Sequence, residues 1–281
     1  MAGQFRLRSR QSPVSLTDRK ANFEEDTMYA ARLSWAGVRV EMKGRRFLID
    51  PLQNTLPLKG LLGDPLWPPV AIHDWDGAMA TDALVTHRHP DHYDPATLSR
   101  ALGPAGRVFC PPEIVPELES AGLNARGVAV WETVHPPGLD AVTITAVPAV
   151  DWRGEYQVSW VVADGEHCVF HGGDTIWHGS WWRIVERFGG FDIAFLPVNG
   201  VIARLSGMAP SNLPATLTPD QAAVAARLLN ARIFCPIHYG QFNNPNTYRQ
   251  HPNIEPAIRE AAKREGVRLI AAPDGEALGF E

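Results

Sequence analysis

A chain of 281 residues, 45% apolar and 20% charged, has the make-up of a folded globular protein, in one large domain or two small ones. Its net charge of −5, with no Lys/Arg block past residue 20, argues against a nucleic-acid binder. No apolar run reaches the roughly 18–20 residues that span a bilayer, and the N-terminus lacks the apolar middle of a signal peptide, so the cytoplasm is expected by default. Cys110, Cys168 and Cys235 are odd in number and form no C-x-x-C pair, which excludes a disulfide framework or a thiolate zinc cage; they read as small buried hydrophobes.

Residues 1–29 are polar with no hydrophobic period and read as a flexible extension ahead of a domain at 30–281. Leu33 to Met42 and Arg46 to Ile49 read as strands around a Lys43-Gly44-Arg45 turn. Residues 51–80, rich in Pro, Leu, Trp and Gly, read as a long irregular loop of the kind that often serves function. Ala83-Leu84-Val85 is a buried-type strand, followed by a helix from Pro95 to Leu102, a strand at Val108-Phe109-Cys110 and a helix from Pro112 to Ala121. Further strands are expected at Val128 to Trp131, Val142 to Val147, Val158 to Val162 and Cys168 to Phe170, then a helix from Trp181 to Phe188 and a strand from Ile193 to Val198. After a second long loop at 199–217, Thr218-Pro219-Asp220-Gln221 carries the signature of a capping box with Pro in the first turn. The helix it starts should run to about Leu229, followed by a strand from Ile233 to Ile237, a helix from Ile254 to Glu265 stopped by Gly266, and a strand from Val267 to Ala271. The order implies layered α/β, sheet packed on sheet with helices outside.

The chemistry concentrates in His87-Arg88-His89-Pro90-Asp91-His92, directly after a strand. Ligands at i and i+2 of a loop can converge on one cation, and those at i+4 and i+5 can turn to a second. Imidazole and carboxylate suit zinc, iron or manganese. The bland alternative, a polar loop with incidental histidines, must explain three of the chain's ten histidines within six residues. Asp174, after strand Cys168 to Phe170 and beside Gly172-Gly173, is suited to bridge two cations, and His238 repeats the pattern after Ile233 to Ile237.

His87-x-His89-x-Asp91-His92, Gly173-Asp174-Thr175 and Pro236-x-His238, in this order over residues 31–280, resemble the metallo-β-lactamase superfamily. The resemblance implies an αββα sandwich with one or two divalent ions, zinc or manganese, between the sheets. It implies His87 and His89 on one metal, Asp91, His92 and His238 on the other, and Asp174 between them. Asp151 stands where many members have a third first-site His. The stretch Asp151-Trp152-Arg153 is similar to the L-ascorbate-6-phosphate lactonase branch, so Asp151 is either a ligand or a partner of a single-metal site; as a ligand, its carboxylate favours manganese over zinc.

The activity so implied is hydrolysis by a metal-bound hydroxide, most simply of a lactone or other carboxylic-ester-type bond in a small molecule. Asp91 would orient the nucleophile and Tyr239 would donate to the developing oxyanion. Arg153 is the candidate for an anionic substrate group, ahead of Arg88 and Arg204. Trp152 and Trp177 are the candidate pocket aromatics; Trp67, Trp75, Trp181 and Trp182 read mainly as core. His171 reads as supporting or structural, His178, four residues after Asp174, either reaches the site or serves as a capping or surface residue, and His73, His135, His167 and His251 read as structural or exposed. A homo-oligomer is a further expectation. Two other readings stand beside the lactonase: a phosphodiesterase similar to N-acylphosphatidylethanolamine-hydrolysing phospholipase D, and a non-catalytic metal-binding scaffold.

Overall fold

The computed structural model describes residues 28–72 and 80–279. Most of the proposed N-terminal extension, and also His73 and Trp75, lie outside them.

Two six-stranded sheets face each other. The first runs β1 (Tyr29–Arg32), β2 (Val38–Met42), β3 (Arg45–Ile49), β4 (Ala80–Leu84), β5 (Leu102–Cys110), β6 (Ala125–Gly127) in spatial as in chain order. The β1-β2-β3 part is antiparallel and the rest parallel. The second contains β7 (Thr133–Val134), β8 (Thr143–Pro148), β9 (Val158–Ala163), β10 (Cys168–His171), β11 (Phe191–Pro197) and β13 (Ala231–Ile237), in the order β13-β11-β10-β9-β8-β7. Here β13, β11 and β10 are parallel and the remainder antiparallel. A small ribbon pairs β12 (Ile202–Ala203) with β14 (Tyr248–Arg249).

Strand parity builds the layers, because alternate side chains point to opposite faces. Phe47 and Ile49 of β3 join Ile144, Trp160, Ile193 and Phe195 in the core between the sheets. Their neighbour Leu48 turns outward with Ala83 and Val108, against α2 (Pro95–Ala101) and α3 (Val115–Ser120) through Leu98 and Leu118. On the other side, Phe170, Ala194, Leu196 and Phe234 meet α4 (Trp181–Phe188), α5 (Pro219–Leu228) and α6 (Ile254–Glu265). The order is therefore helix, sheet, sheet, helix, as the αββα expectation requires.

Local chemistry explains the ends. Lys43 and Gly44 both take positive φ, 46° and 74°, the tight hairpin turn whose twist suits antiparallel strands. Asp94 accepts from the backbone N–H groups of Ala96 and Thr97 ahead of Pro95. Thr218 and Gln221 form both halves of the capping box. α6 stops at Gly266 in the left-handed region.

Several expectations need correction. Leu33–Gly37 is not strand but a turn, closed by Leu33 N–H donating to Gly37 O (2.7 Å) with Trp35 at φ 61°; Tyr29, assigned to the extension, opens β1. The segment 51–72 contains a 3-10 turn, Leu56–Leu58, and α1 (Lys59–Leu62), both too short to leave a period. Pro112 to Ala121 is a 3-10 turn, Pro112–Ile114, leading into α3, because Pro116 interrupts the start. Val128 to Trp131 leaves the sheet, with Trp131 at φ 72° and its N–H on Ala146 O; the strand is β6 just before it. Val267 to Ala271 makes only a single bridge, Leu269 to Phe234.

Candidate metal centre

Every residue of the predicted cluster sits just past the C-terminal end of a strand. The loop His87–His92 follows β4, Asp151 follows β8, Asp174 follows β10 and His238 follows β13. Ligand sites in sheets with parallel strands collect at these ends, where the loops fan out. The fold thereby brings together all seven predicted ligands. His87, His92 and Asp174 offer ligand atoms within 4.8 Å of one another; so do Asp91, His92 and His238, and so do His89, Asp151 and Asp174. His87 Nε2 lies 2.8 Å from His89 Nδ1 and 3.6 Å from Asp174 Oδ1. His92 Nε2 lies 3.5 Å from Asp91 Oδ2 and 3.8 Å from Asp174 Oδ2, and His238 Nε2 lies 3.4 Å from Asp91 Oδ2.

The donor set fits divalent cations. The ring Nε2 atoms of His92 and His238 and Oδ2 of Asp151 are buried without a hydrogen-bond partner. Unpartnered buried polar atoms are costly, and a cation placed among them removes that cost. The electrostatics make the same demand. Burial pushes the His92 imidazole down, but Asp91, Asp50 and Asp174 together outweigh it and raise it to about 10, so three carboxylates draw positive charge to this spot. Burial and the nearby Asp174 push the Asp151 carboxyl up. His87 is held down to about 3 by burial, hence neutral and a ligand in form.

Asp50 was missed by sequence reasoning, where it served only to end a strand. It is fully buried at the end of β3, in the left-handed region at φ 46°. Its Oδ2 accepts from Thr86 Oγ1 (2.6 Å) and lies 2.8 Å from His92 Nδ1, while Oδ1 accepts from Thr86 N–H (2.8 Å). Burial pushes its carboxyl up, and His92, with help from His171 and His87, holds it below the usual range. An ionised carboxylate only accepts, so His92 keeps a proton on Nδ1, and a cation in place of its second proton would meet the Nε2 lone pair. The Thr86 hydroxyl gives its proton to Asp50, so it accepts from His87 Nδ1 (2.9 Å), which frees His87 Nε2 in the same way. One carboxylate thus sets two imidazoles, directly and through a threonine. The only sequence signal was an Asp at a strand end in the segment before the His loop.

Other supports were also missed. Trp35 Nε1 donates to Asp91 Oδ2 (2.9 Å), and its ring lies 4.1 Å from that of His238. Gln157 Nε2 donates to Asp174 Oδ1 (2.8 Å). Glu155 Oε2 stands 3.4 Å from His89 Nε2. His171, fully buried, contacts Ala36 O through Nε2 and accepts from Gly173 N–H, a supporting place as expected. Gly173 is required: at φ +64° a Cβ there would stand 2.8 Å from Gln157 Nε2.

Two predicted residues are not brought to the cluster. His238 takes φ 59°, which turns its ring inward and sends the next side chain the other way. Tyr239 therefore packs on the outer core beneath the Arg32 guanidinium, 4.9 Å from its ring centroid. Trp177 packs outward, 5.8 Å from Trp181, because Thr175 is tied to Val150 and the chain turns away after it. His178 does not reach the cluster either and stacks on Trp181 at 4.2 Å. His135, His167 and His251 bond to Val142 O, Asp164 and Pro252 O, away from the site.

A cleft of about 330 Å³ opens over His89, Asp91 and Asp174. Its walls are apolar: Leu58, Leu61 and Leu62 from one long loop, Val201, Ala203 and Ala215 from the other. Trp152 and Arg153 reach it as expected. Arg153 is paired with Glu155 at 3.2 Å, and Arg88 and Arg204 are exposed. No helix among the described residues is long and apolar enough to cross a membrane.

A model of the beta-lactamase superfamily domain matches residues 45–239. A UPF0173 metal-dependent hydrolase of Nitratidesulfovibrio vulgaris (strain DP4) is 30% identical over 223 residues, 75% of this chain and 81% of the relative. One of Pyrobaculum neutrophilum is 27% identical over 254 residues, 86% of this chain and 98% of the relative. The solved structure of Igni18, a metallo hydrolase from the archaeon Ignicoccus hospitalis, aligns with a TM-score of 0.69 at 19% identity over 90% of this chain and 98% of that one, a likeness of fold. With the sandwich, the clustered His and Asp side chains and a match across most of its length, the chain belongs to the metallo-β-lactamase superfamily and, within it, to the UPF0173 metal-dependent hydrolase family.

Proposed function

We propose that residues 30–281 form one hydrolase domain that uses one or two divalent cations to cleave a lactone or other carboxylic ester whose non-reacting part is aliphatic. The carrying observation is the contrast within one cleft: a floor of His89, Asp91 and Asp174 under walls of Leu58, Leu61, Leu62, Val201, Ala203 and Ala215. Such a cleft gives an apolar substituent a dry seat and holds its polar bond against the cluster. The lactone element rests on Asp151-Trp152-Arg153, which is similar to the ascorbate-phosphate lactonase branch, but an apolar wall and an Arg153 already paired with Glu155 suit an uncharged substrate better than a phosphorylated sugar. Asp151, where many members of the superfamily carry a His, weighs against the phosphodiesterase reading.

His87, His89, Asp151 and Asp174 would hold one cation and Asp91, His92, His238 and Asp174 the other. Carboxylates on both sides favour a hard ion such as manganese. Bound divalent cations supply Lewis acidity and a nucleophile at neutral pH. The protein's part is positioning: Trp35 fixes Asp91, Gln157 fixes Asp174, Asp50 fixes two imidazoles, and Trp152 with the leucines keeps bulk water from the reacting bond.

The test is hydrolysis of aliphatic γ-lactones, 4-nitrophenyl esters and bis(4-nitrophenyl) phosphate by protein of measured metal content, beside Asp91→Asn. Turnover of esters or lactones that Asp91→Asn abolishes with the fold retained supports the reading. Turnover of the phosphodiester alone transfers the site to phosphodiesterase chemistry, and none by any metal-loaded sample leaves a scaffold.

A further inference from the structure

Beside the cluster, the wall of the cleft carries a wired phenol. Tyr248 in β14 is buried and lines the cleft, its ring 6.1 Å from that of Trp35, the residue that holds Asp91. Its hydroxyl oxygen accepts from Asn199 Nδ2 at 3.1 Å. Asn199 is fully buried just after β11, and its amide oxygen accepts from the Thr216 hydroxyl. The Thr216 hydroxyl also stands 3.4 Å from Leu217 O, and in this arrangement it gives its proton to the amide oxygen while the amino end faces the phenol. The phenol oxygen is therefore the acceptor in that bond, and its own proton has to go elsewhere. No other described side chain or backbone group hydrogen-bonds this hydroxyl, and the cleft is the open direction. Burial, with Asp91 and Asp174 nearby, keeps the phenol protonated and so a donor.

We propose that Tyr248, rather than Tyr239, is the catalytic phenol of this site, donating a hydrogen bond to the substrate oxygen that gains charge, with Asn199 and Thr216 as positioning residues. This rests on the ester-hydrolase reading. As the oxygen of water adds to the ester carbon, the carbonyl π pair moves onto the carbonyl oxygen, and the Tyr248 O–H binds it without giving up its proton. When the pair returns, the bond to the alkoxy oxygen breaks. One proton of the water ends on the released alcohol and the other on the carboxyl group. A donor aimed at developing charge in a dry site acts mainly on the transition state.

The experiment uses the metal-loaded full chain, γ-nonalactone and 4-nitrophenyl butyrate as substrates, and octanoate as a carboxylate ligand followed by calorimetry. Tyr248→Phe removes the proton with little change of shape. Asn199→Asp keeps the phenol but offers it a carboxylate, which draws the proton away from the cleft. Both variants are expected to lower kcat by about 100-fold with KM within about threefold, and to weaken octanoate by about 10-fold, at wild-type metal content. Tyr248→Phe with turnover and octanoate affinity within about twofold of wild type overturns the proposal, and so does a loss that tracks loss of metal. Should Asn199→Asp not fold, Tyr248→Phe decides alone. If the wild type cleaves neither substrate, the ester reading fails, and octanoate binding still decides the role of Tyr248.

Discussion

Replacing Asp50 by Asn tests the wiring of the metal centre most directly. The variant keeps the shape and one acceptor, which Thr86 N–H retains. The new NH₂ then faces both His92 Nδ1 and Thr86 Oγ1, where the native Oδ2 stands at 2.8 and 2.6 Å. A donor there forces His92 to accept on Nδ1 and carry its proton on Nε2. The Thr86 hydroxyl, now accepting from the amide, turns its own proton to His87 Nδ1, which also moves the His87 proton to Nε2. Both metal-facing lone pairs are lost by one substitution. A supporting contact of this kind is worth about 10- to 100-fold in metal affinity, so two act together at on the order of 1,000-fold, or about 4 kcal/mol. Thr86→Val breaks only the His87 arm and should cost about 10-fold. The assay is competition for manganese or zinc against a chelator of known affinity, with circular dichroism confirming the fold. Metal affinity of Asp50→Asn within threefold of wild type, or a Thr86→Val loss equal to it, refutes the reasoning.

Three further outcomes are expected. Asp151→Ala should lower the metal content, read by elemental analysis, because the cation proposed for His87, His89 and Asp174 then loses its fourth ligand; an unchanged content removes Asp151 from the ligand set. Gly173→Ala places a side chain in the left-handed region, at about 1–2 kcal/mol, and drives Gln157 off Asp174, so the melting temperature and metal affinity should fall together. His178 is held down to about 4 by burial, below the ordinary 6.5, so the unfolded chain binds the proton more readily. Its contribution to stability is complete above pH 6.5 and is lost as pH falls toward 4, about 2 kcal/mol of it by pH 5. His178→Phe, which can keep the stacking on Trp181, should flatten the slope between pH 8 and 5 in denaturant titrations; an unaltered slope sends the dependence to another group.

The loop His87–His92 was legible because its chemistry is local: ligands two and five residues apart share one loop, and sequence spacing is then nearly spatial spacing. Asp174 and His238 were legible as polar residues closing apolar strand runs, and Gly173 beside Asp174 as the gap that permits close approach. The capping box at Thr218 and the stop at Gly266 were equally local. The roles of Asp50, Trp35, Gln157 and Tyr248 were not, because each acts on a partner in another part of the chain. Asp50 reaches His92 across 42 positions and Trp35 reaches Asp91 across 56. Tyr239 shows the converse, since adjacency to His238 suggested a shared site until the left-handed backbone at His238 sent the two rings to opposite faces. The sequence by itself determined which chemistry the chain can hold, because ligand type and local spacing are written in it. Only the tertiary structure decided which side chains orient that chemistry and what wall the substrate meets, because hydrogen-bond polarity and side-chain direction exist only once distant strands have been brought end to end.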